Sequence, residues 1–175
     1  DDLIVRYPTG VTNADGDSVV TKDNVGNGFV HGVEIASEVR CDHGLSLVSS
    51  FAWVEGESDT LLAPGVKSDE PLSRLMPASG MIGVHYKPTE APVQIELDLR
   101  MARKQSRLSP RDQADSQRIP VDGTPGYGVW GMRVRWEAKK GCQIFAGVEN
   151  ITDKDYRIHG SGTNEPGANF VLGLD

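Results

Sequence analysis

The clearest pattern in the chain runs from Pro92 to Arg103, where Val93, Ile95, Leu97, Leu99 and Met101 alternate with Gln94, Glu96, Asp98, Arg100 and Ala102. A period of two sustained over this length describes an extended strand with one apolar and one polar face, and no helix produces it. Tyr127 to Glu137 repeats the pattern, with Trp130, Met132, Val134 and Trp136 opposite Gly131, Arg133, Arg135 and Glu137. Phe29 to Arg40 sets Phe29, His31, Val33, Ile35 and Val39 against Gly32, Glu34, Ala36, Glu38 and Arg40, and Leu45 to Glu55 sets Leu45, Leu47, Phe51 and Trp53 against Ser46, Ser50 and Ala52. Weaker strands are expected at Leu3 to Tyr7, Pro77 to Lys87, Cys142 to Ile151 and Ala168 to Asp175, which makes eight strands and no helix.

The connections alternate in length. Short turns fall at Cys41 to Gly44, Pro88 to Ala91 and Ala138 to Gly141, and long polar loops at Pro8 to Gly28, Gly56 to Met76, Lys104 to Gly126 and Thr152 to Gly167. Antiparallel up-and-down strands with short turns at one end and long loops at the other are the plan of a transmembrane β-barrel, with the turns in the periplasm and the loops outside the cell. A soluble β-sandwich has no reason to sort its loops in this way. Aromatic placement leans the same way: Trp136 and Tyr86 lie near the short-turn end, and Trp53, Tyr127 and Trp130 near the long-loop end, as two interfacial girdles require.

Composition narrows the function classes. The 175 residues suffice for one domain, and a formal charge of -7 argues against nucleic acid as a partner. No apolar run reaches the roughly 18 residues of a transmembrane helix, which leaves a barrel open. The 20 glycines and 10 prolines suit a chain of many turns. DDLIVRYPTG lacks a signal peptide's basic and apolar regions, so the protein is either not exported or an internal piece of a longer chain. Cys41 and Cys142 have no companions at metal spacing and are expected unpaired.

Catalytic and metal signatures are lacking. HGSGTNEPG and GTPGYG match neither a P-loop nor a dinucleotide fingerprint, and Ser161 in HGSG follows no strand as a nucleophile elbow demands. His31, His43, His85 and His159 show no paired spacing, so no metal site is expected unless loops assemble one. Asp153 and Asp155 read as turn formers at a strand exit.

The run ENITDKDYRIHGSGTNEPGANF, Glu149 to Phe170, resembles the C-terminal region of TonB-dependent outer-membrane receptors. In that family the penultimate strand ends in N-[LI]-[TF]-D-x-x-Y-R, and a loop leads to a P-G-R-N-F-like start of the closing strand. Asn150, Ile151, Thr152, Asp153, Tyr156 and Arg157 match the first part, and Pro166, Gly167, Asn169 and Phe170 the second. RIPVDGTPGYGVWGMRVRW and GFVHGVEIASEVR resemble further strands of the family, so the likeness covers nearly the whole chain. Ala168 departs from the usual arginine, and the chain stops at Leu174-Asp175 short of the family's terminal aromatic.

The resemblance implies an all-β fold of antiparallel up-and-down strands, about eight of the family's roughly 22, forming part of a transmembrane barrel as an open curved wall. Residues 1–175 would be the C-terminal part of the barrel, with the plug domain and earlier strands absent. It further implies energised import of a scarce ligand of the ferric siderophore, haem or cobalamin class, with no enzymatic activity and no cofactor. The implied partners are outer-membrane lipid, the small-molecule ligand, and the TonB complex acting through the plug.

Candidate ligand contacts are polar loop residues: Arg107, Arg111, Asp112, Asp115 and Arg118 in the third long loop, and His159 and Asn164 in the last. Glu34, Glu96, Asp98, Arg100, Arg133 and Arg135 would face the lumen and meet the plug or water, or form a cross-strand charge ladder. Two alternatives stay open, a complete eight-stranded membrane barrel and a soluble β-sandwich binding module with loop aromatics for carbohydrate. In an open wall Cys41 and Cys142 would lie five strands, roughly 24 Å, apart.

Overall fold

A computed structural model describes residues 3–63 and 66–175. The strands are β1 (Leu3–Thr12), β2 (Ser18–Gly26), β3 (Gly28–Arg40), β4 (Leu45–Ala63), β5 (Val66–Pro71), β6 (Ser79–Tyr86), β7 (Val93–Ala102), β8 (Tyr127–Lys139), β9 (Cys142–Glu149) and β10 (Asn169–Leu174). Seven of them form one antiparallel path in the order β10-β9-β8-β7-β6-β4-β3, with β5 attached to β4. Among the described residues the ends of that path, β3 and β10, do not pair with each other, so the wall is open.

The short turns set the register and the register sorts the faces. Val39, Leu47, Val84, Leu97, Met132, Val148 and Phe170 stand opposite one another in a single apolar row across all seven strands. The neighbouring row on the other face reads Arg40, Ser46, His85, Glu96, Arg133, Gly147 and Val171. A slip of one residue in any pair would exchange these faces, so the alternation in each strand enforces the same pairing.

Burial on this wall is inverted relative to a water-soluble sheet. In β7, Glu96 and Asp98 are each 8% exposed, while Leu97 between them is 38% exposed. Phe29, Ile35, Val39, Leu47, Ile82, Met132, Trp136 and Leu172 are exposed as well. Among the described residues the buried apolar side chains are Leu108, Ile119 and Val129, a small cluster that cannot serve as the core of a sandwich. Among the described residues these apolar side chains of the wall are left uncovered, and an uncovered apolar face of this extent belongs against lipid.

The structure corrects several expected elements. Leu3 to Tyr7 does not join the wall: β1 pairs with β2 in a separate two-stranded sheet that occupies most of the long loop expected at Pro8 to Gly28. Within the loop expected at Gly56 to Met76, β4 runs on past Glu55 and folds back as β5. Long loops with their own hairpins carry β-propensity without alternation, because neither face is committed to lipid. The expectation of no helix also fails, since Pro110–Ala114 is one α-helical turn and Asp42–Gly44 a 3-10 turn. The first has a proline in its first turn and Ser109 as N-cap, accepting from the Asp112 N–H at 3.1 Å. It is too short to show a helical period.

The girdles are largely as expected, with one exception. Trp53 packs edge-on to His31, which stacks on Phe29, at the long-loop end of the apolar face. Tyr127 belongs to the opposite parity from Trp130 and stands instead on the polar face, its ring 4.6 Å from that of Tyr156. The two thiols are free; Cys41 directly follows β3 and Cys142 opens β9, and β4, β6, β7 and β8 lie between those two strands.

Candidate functional site

Three long connections fold together at one end of the wall. The third, residues 103–126, doubles back through the antiparallel pair Gln105 and Thr124, whose backbones exchange hydrogen bonds of 2.9 Å. Gln105 Nε2 donates to the Leu75 carbonyl at 2.7 Å and so ties this loop to the second. Thr124 Oγ1 is hydrogen-bonded to His159 Nδ1 at 2.9 Å, which ties it to the fourth.

Asp112 is the centre of the assembly. Its carboxylate is nearly fully buried and accepts from Ser73 Oγ at 2.7 Å and from the Arg74 backbone N–H at 3.1 Å. Burial by itself would raise its pKa, but these hydrogen bonds and those to Ser109 outweigh it and hold the carboxyl below its ordinary value. The Arg74 guanidinium pairs with Asp115 and donates to the Gly160 carbonyl at 3.0 Å, so one side chain spans all three loops. A Cβ on Gly160 would sit 3.1 Å from Arg74 Nη1, and φ there is +77°, so glycine serves both the turn and the approach.

The expected ligand residues divide into two groups. Asp112, Asp115 and His159 are committed to holding loops together, and Arg107 pairs with Glu55 and Glu57 on β4. Arg118 reaches Asp115 at 3.4 Å but remains exposed, Arg111 is exposed, and exposed Asn164 joins Arg157 and Asp155 at 2.9 and 2.7 Å. The sequence reading missed Ser73, Arg74 and Thr124. None carries a local signal, because each acquires its role from a partner in another loop.

His159 is 7% exposed, and its Nε2 has no hydrogen-bond partner among the described residues. Burial drives its pKa below the usual histidine value, with Arg74 pushing the same way and Asp112 opposing. The neutral imidazole is therefore the form that this packing accepts.

The matched motif residues have a local task. Asn150, at φ +51°, donates from Nδ2 to the carbonyls of Lys154 at 2.8 Å and Pro166 at 3.0 Å, and its Oδ1 accepts from the Lys154 N–H at 2.9 Å. Asp153 accepts from the Ala168 N–H at 2.9 Å. A Cβ on Gly167 would collide with the Asp153 carboxylate. Strand exit and strand return are thus clamped to each other, and Tyr156 is laid against Tyr127.

The polar face of the wall carries a diagonal charge ladder. Arg135 donates to Glu96 at 3.1 Å, Arg133 to Glu149 at 3.2 Å, and Arg100 lies 3.9 Å from Glu149. His85 Nε2 and Asp98 Oδ1 are 3.0 Å apart, and the donor atoms of His85, Glu96 and Asp98 all lie within 4.8 Å of one another. This cluster comes from adjacent strands rather than from loops. The six residues between β6 and β7 set His85 directly opposite Glu96, two positions away from the Gln94 that a four-residue turn at Pro88 to Ala91 would place there.

An open antiparallel wall with a lipid-facing row, a charged inner face and a loop cap at one end is a segment of an outer-membrane-type β-barrel. Residues 1–151 match the family model described as TonB dependent receptor-like, beta-barrel, and the chain belongs to that family. The family resides in the Gram-negative outer membrane and comprises transporters rather than enzymes. The structure described as the copper transporter OprC superposes with a TM-score of 0.73 at 20% identity, covering 99% of this chain and 26% of that one. The FrpB iron transporter from Neisseria meningitidis (F3-3 variant) gives 0.70 at 17% identity, again covering 99% of this chain and 26% of that one. The chain thus spans about a quarter of the length of these two, and at such identities the likeness is one of fold. No curated protein matches the sequence.

Proposed function

We propose that residues 1–175 act as the C-terminal part of a receptor barrel for TonB-energised uptake of a scarce small ligand, of the ferric siderophore, haem or cobalamin class. The TonB complex would act through a plug domain seated against the charged inner face. The observation that carries this reading is the interlocked cap: three long loops held by Arg74, Asp112 and Thr124 present a preformed polar surface at the outer end of the wall. Preorganised loops lower the ordering cost of capturing a dilute ligand.

Within the cap, Arg111, Arg118 and Asn164 are exposed and suited to touch an anionic ligand, while exposed Arg107 is paired with Glu55 and Glu57. Asp112, Asp115 and His159 contribute by fixing loop positions. The copper and iron transporters that share the fold make a metal-bearing cargo the first to test.

The test is growth and uptake in cells whose only receptor of this kind is the full-length protein, supplied in turn with a ferric siderophore, haem or cobalamin as sole source. Uptake of one of them should require both the receptor and TonB. Identical uptake with and without the receptor for all three would overturn the ligand class.

A further inference from the structure

We propose that His85, Glu96 and Asp98 form a binding site for a divalent first-row transition-metal ion on the inner wall of the barrel. This goes beyond the cargo reading and does not depend on which ligand the receptor imports. The three side chains stand on the polar face of β6 and β7, near the short-turn and therefore periplasmic end.

Charge supplies the first argument. Glu96 and Asp98 are buried to the same degree, yet only Glu96 has a guanidinium, that of Arg135 at 3.1 Å. Among the described residues the ionic partner of Asp98 is the His85 imidazole alone. A buried carboxylate that lacks a strong cation is costly, and such groups are paired or coordinate metal ions. The Arg135 and Gln94 donors both sit on Glu96 Oε1, which leaves Oε2 for another partner.

Shape supplies the second. Gly83 stands two residues before His85 on β6 and directly opposite Asp98, and a Cβ there would overlap the Asp98 carboxylate. The absent side chain leaves the space in which that carboxylate turns toward His85. Donors around one ion at about 2.0–2.2 Å lie no more than about 4.4 Å apart. The observed separations, all within 4.8 Å, need a contraction of only a few tenths of an ångström at the widest pair.

The donor set selects the ion. One imidazole and two carboxylates suit Zn²⁺, Fe²⁺, Co²⁺, Ni²⁺, Mn²⁺ or Cu²⁺, and the lack of sulfur disfavours Cu⁺. Three protein donors leave positions for water or for a group presented from the lumen.

The experiment uses the full-length protein purified in detergent, without TonB. Co²⁺ titration is followed by visible absorption, and Cu²⁺ is followed by electron paramagnetic resonance for coupling to one imidazole nitrogen. The wild type should show a site that weakens at least tenfold in His85→Gln and in Asp98→Asn, with the nitrogen coupling lost in the former, and stays unchanged in Glu137→Gln. Heat-modifiable gel mobility identifies folded barrels, and Glu96→Gln replaces any variant that fails this criterion. Absence of binding, or equal binding by wild type and the folded variants, overturns the proposal. Failure of ligand uptake in cells leaves this measurement untouched, so the two readings fail separately.

Discussion

Arg74 and Asp112 lie 38 residues apart, and the backbone N–H of Arg74 donates to the Asp112 carboxylate at 3.1 Å. Two loops that share no local sequence relationship are joined there by a main-chain bond, and the Arg74 side chain carries the connection on to Gly160. The outer cap is therefore a single unit. Its weakest point is any residue whose loss strands several buried donors at once.

Asp112→Ala strands Ser73 Oγ and two backbone donors. We expect it to loosen the cap by about 3 kcal/mol, in the range for breaking a buried hydrogen-bonded charge. Amide hydrogen exchange should accelerate in residues 104–126 and 152–167 and remain unchanged in β7 and β8. Unchanged loop protection would show that the network does not hold the cap.

The cap should also loosen on acidification. The pKa of His159 is lower in the folded protein, so below the ordinary histidine value of about 6.5 the unfolded loop binds a proton that the packed loop refuses. Its contribution is complete above that pH and declines as pH falls toward the lower folded value. Asp112, also lowered, adds a further loss below about pH 3.9. Limited proteolysis of the loops should be several-fold faster at pH 5.5 than at 7.5, and His159→Gln should flatten the difference. Slower cleavage at the lower pH would contradict the buried neutral imidazole.

Leu97 lies midway along β7 on the apolar face and, with the strand spanning the membrane, near the bilayer midplane. Leu97→Arg should cost about 2–4 kcal/mol of folding stability in lipid vesicles. Val121→Arg, in a loop at a site 82% exposed, should change stability by less than about 0.5 kcal/mol. Equal effects in urea unfolding would remove Leu97 from the membrane.

Topology can be read with thiol reagents. Cys41 is exposed in the turn between β3 and β4, the end assigned to the periplasm. An impermeant maleimide should label a Asn164→Cys variant in intact cells, and label Cys41 only once the outer membrane is opened. The reverse order would invert the barrel.

The alternating strands, their faces and the short turns were legible in the sequence because a strand committed to lipid on one side must alternate residue by residue, whereas the open wall followed only from the family resemblance. His85 opposite Glu96 was not legible, because a turn at Pro88 to Ala91 would set His85 against Gln94 and the six-residue connection shifts the pairing by two. Asn150, Asp153 and Gly167 were legible as a family motif, though their task of clamping strand exit to strand return was not. Tyr127 was misplaced because proximity to a strand end says nothing about parity.

The tertiary structure alone decided what the loops do. β1 with β2, and β4 with β5, show that two long connections are hairpins, which a segment without a committed face does not announce through any period. That Arg74 meets Asp112, Asp115 and Gly160, and that Thr124 meets His159, depends on the return path of three separate loops. The periodic demand of the bilayer is written into every membrane strand, whereas the cap is held by single long-range hydrogen bonds, each of which exists only once the strands have brought its partners to the same end of the wall.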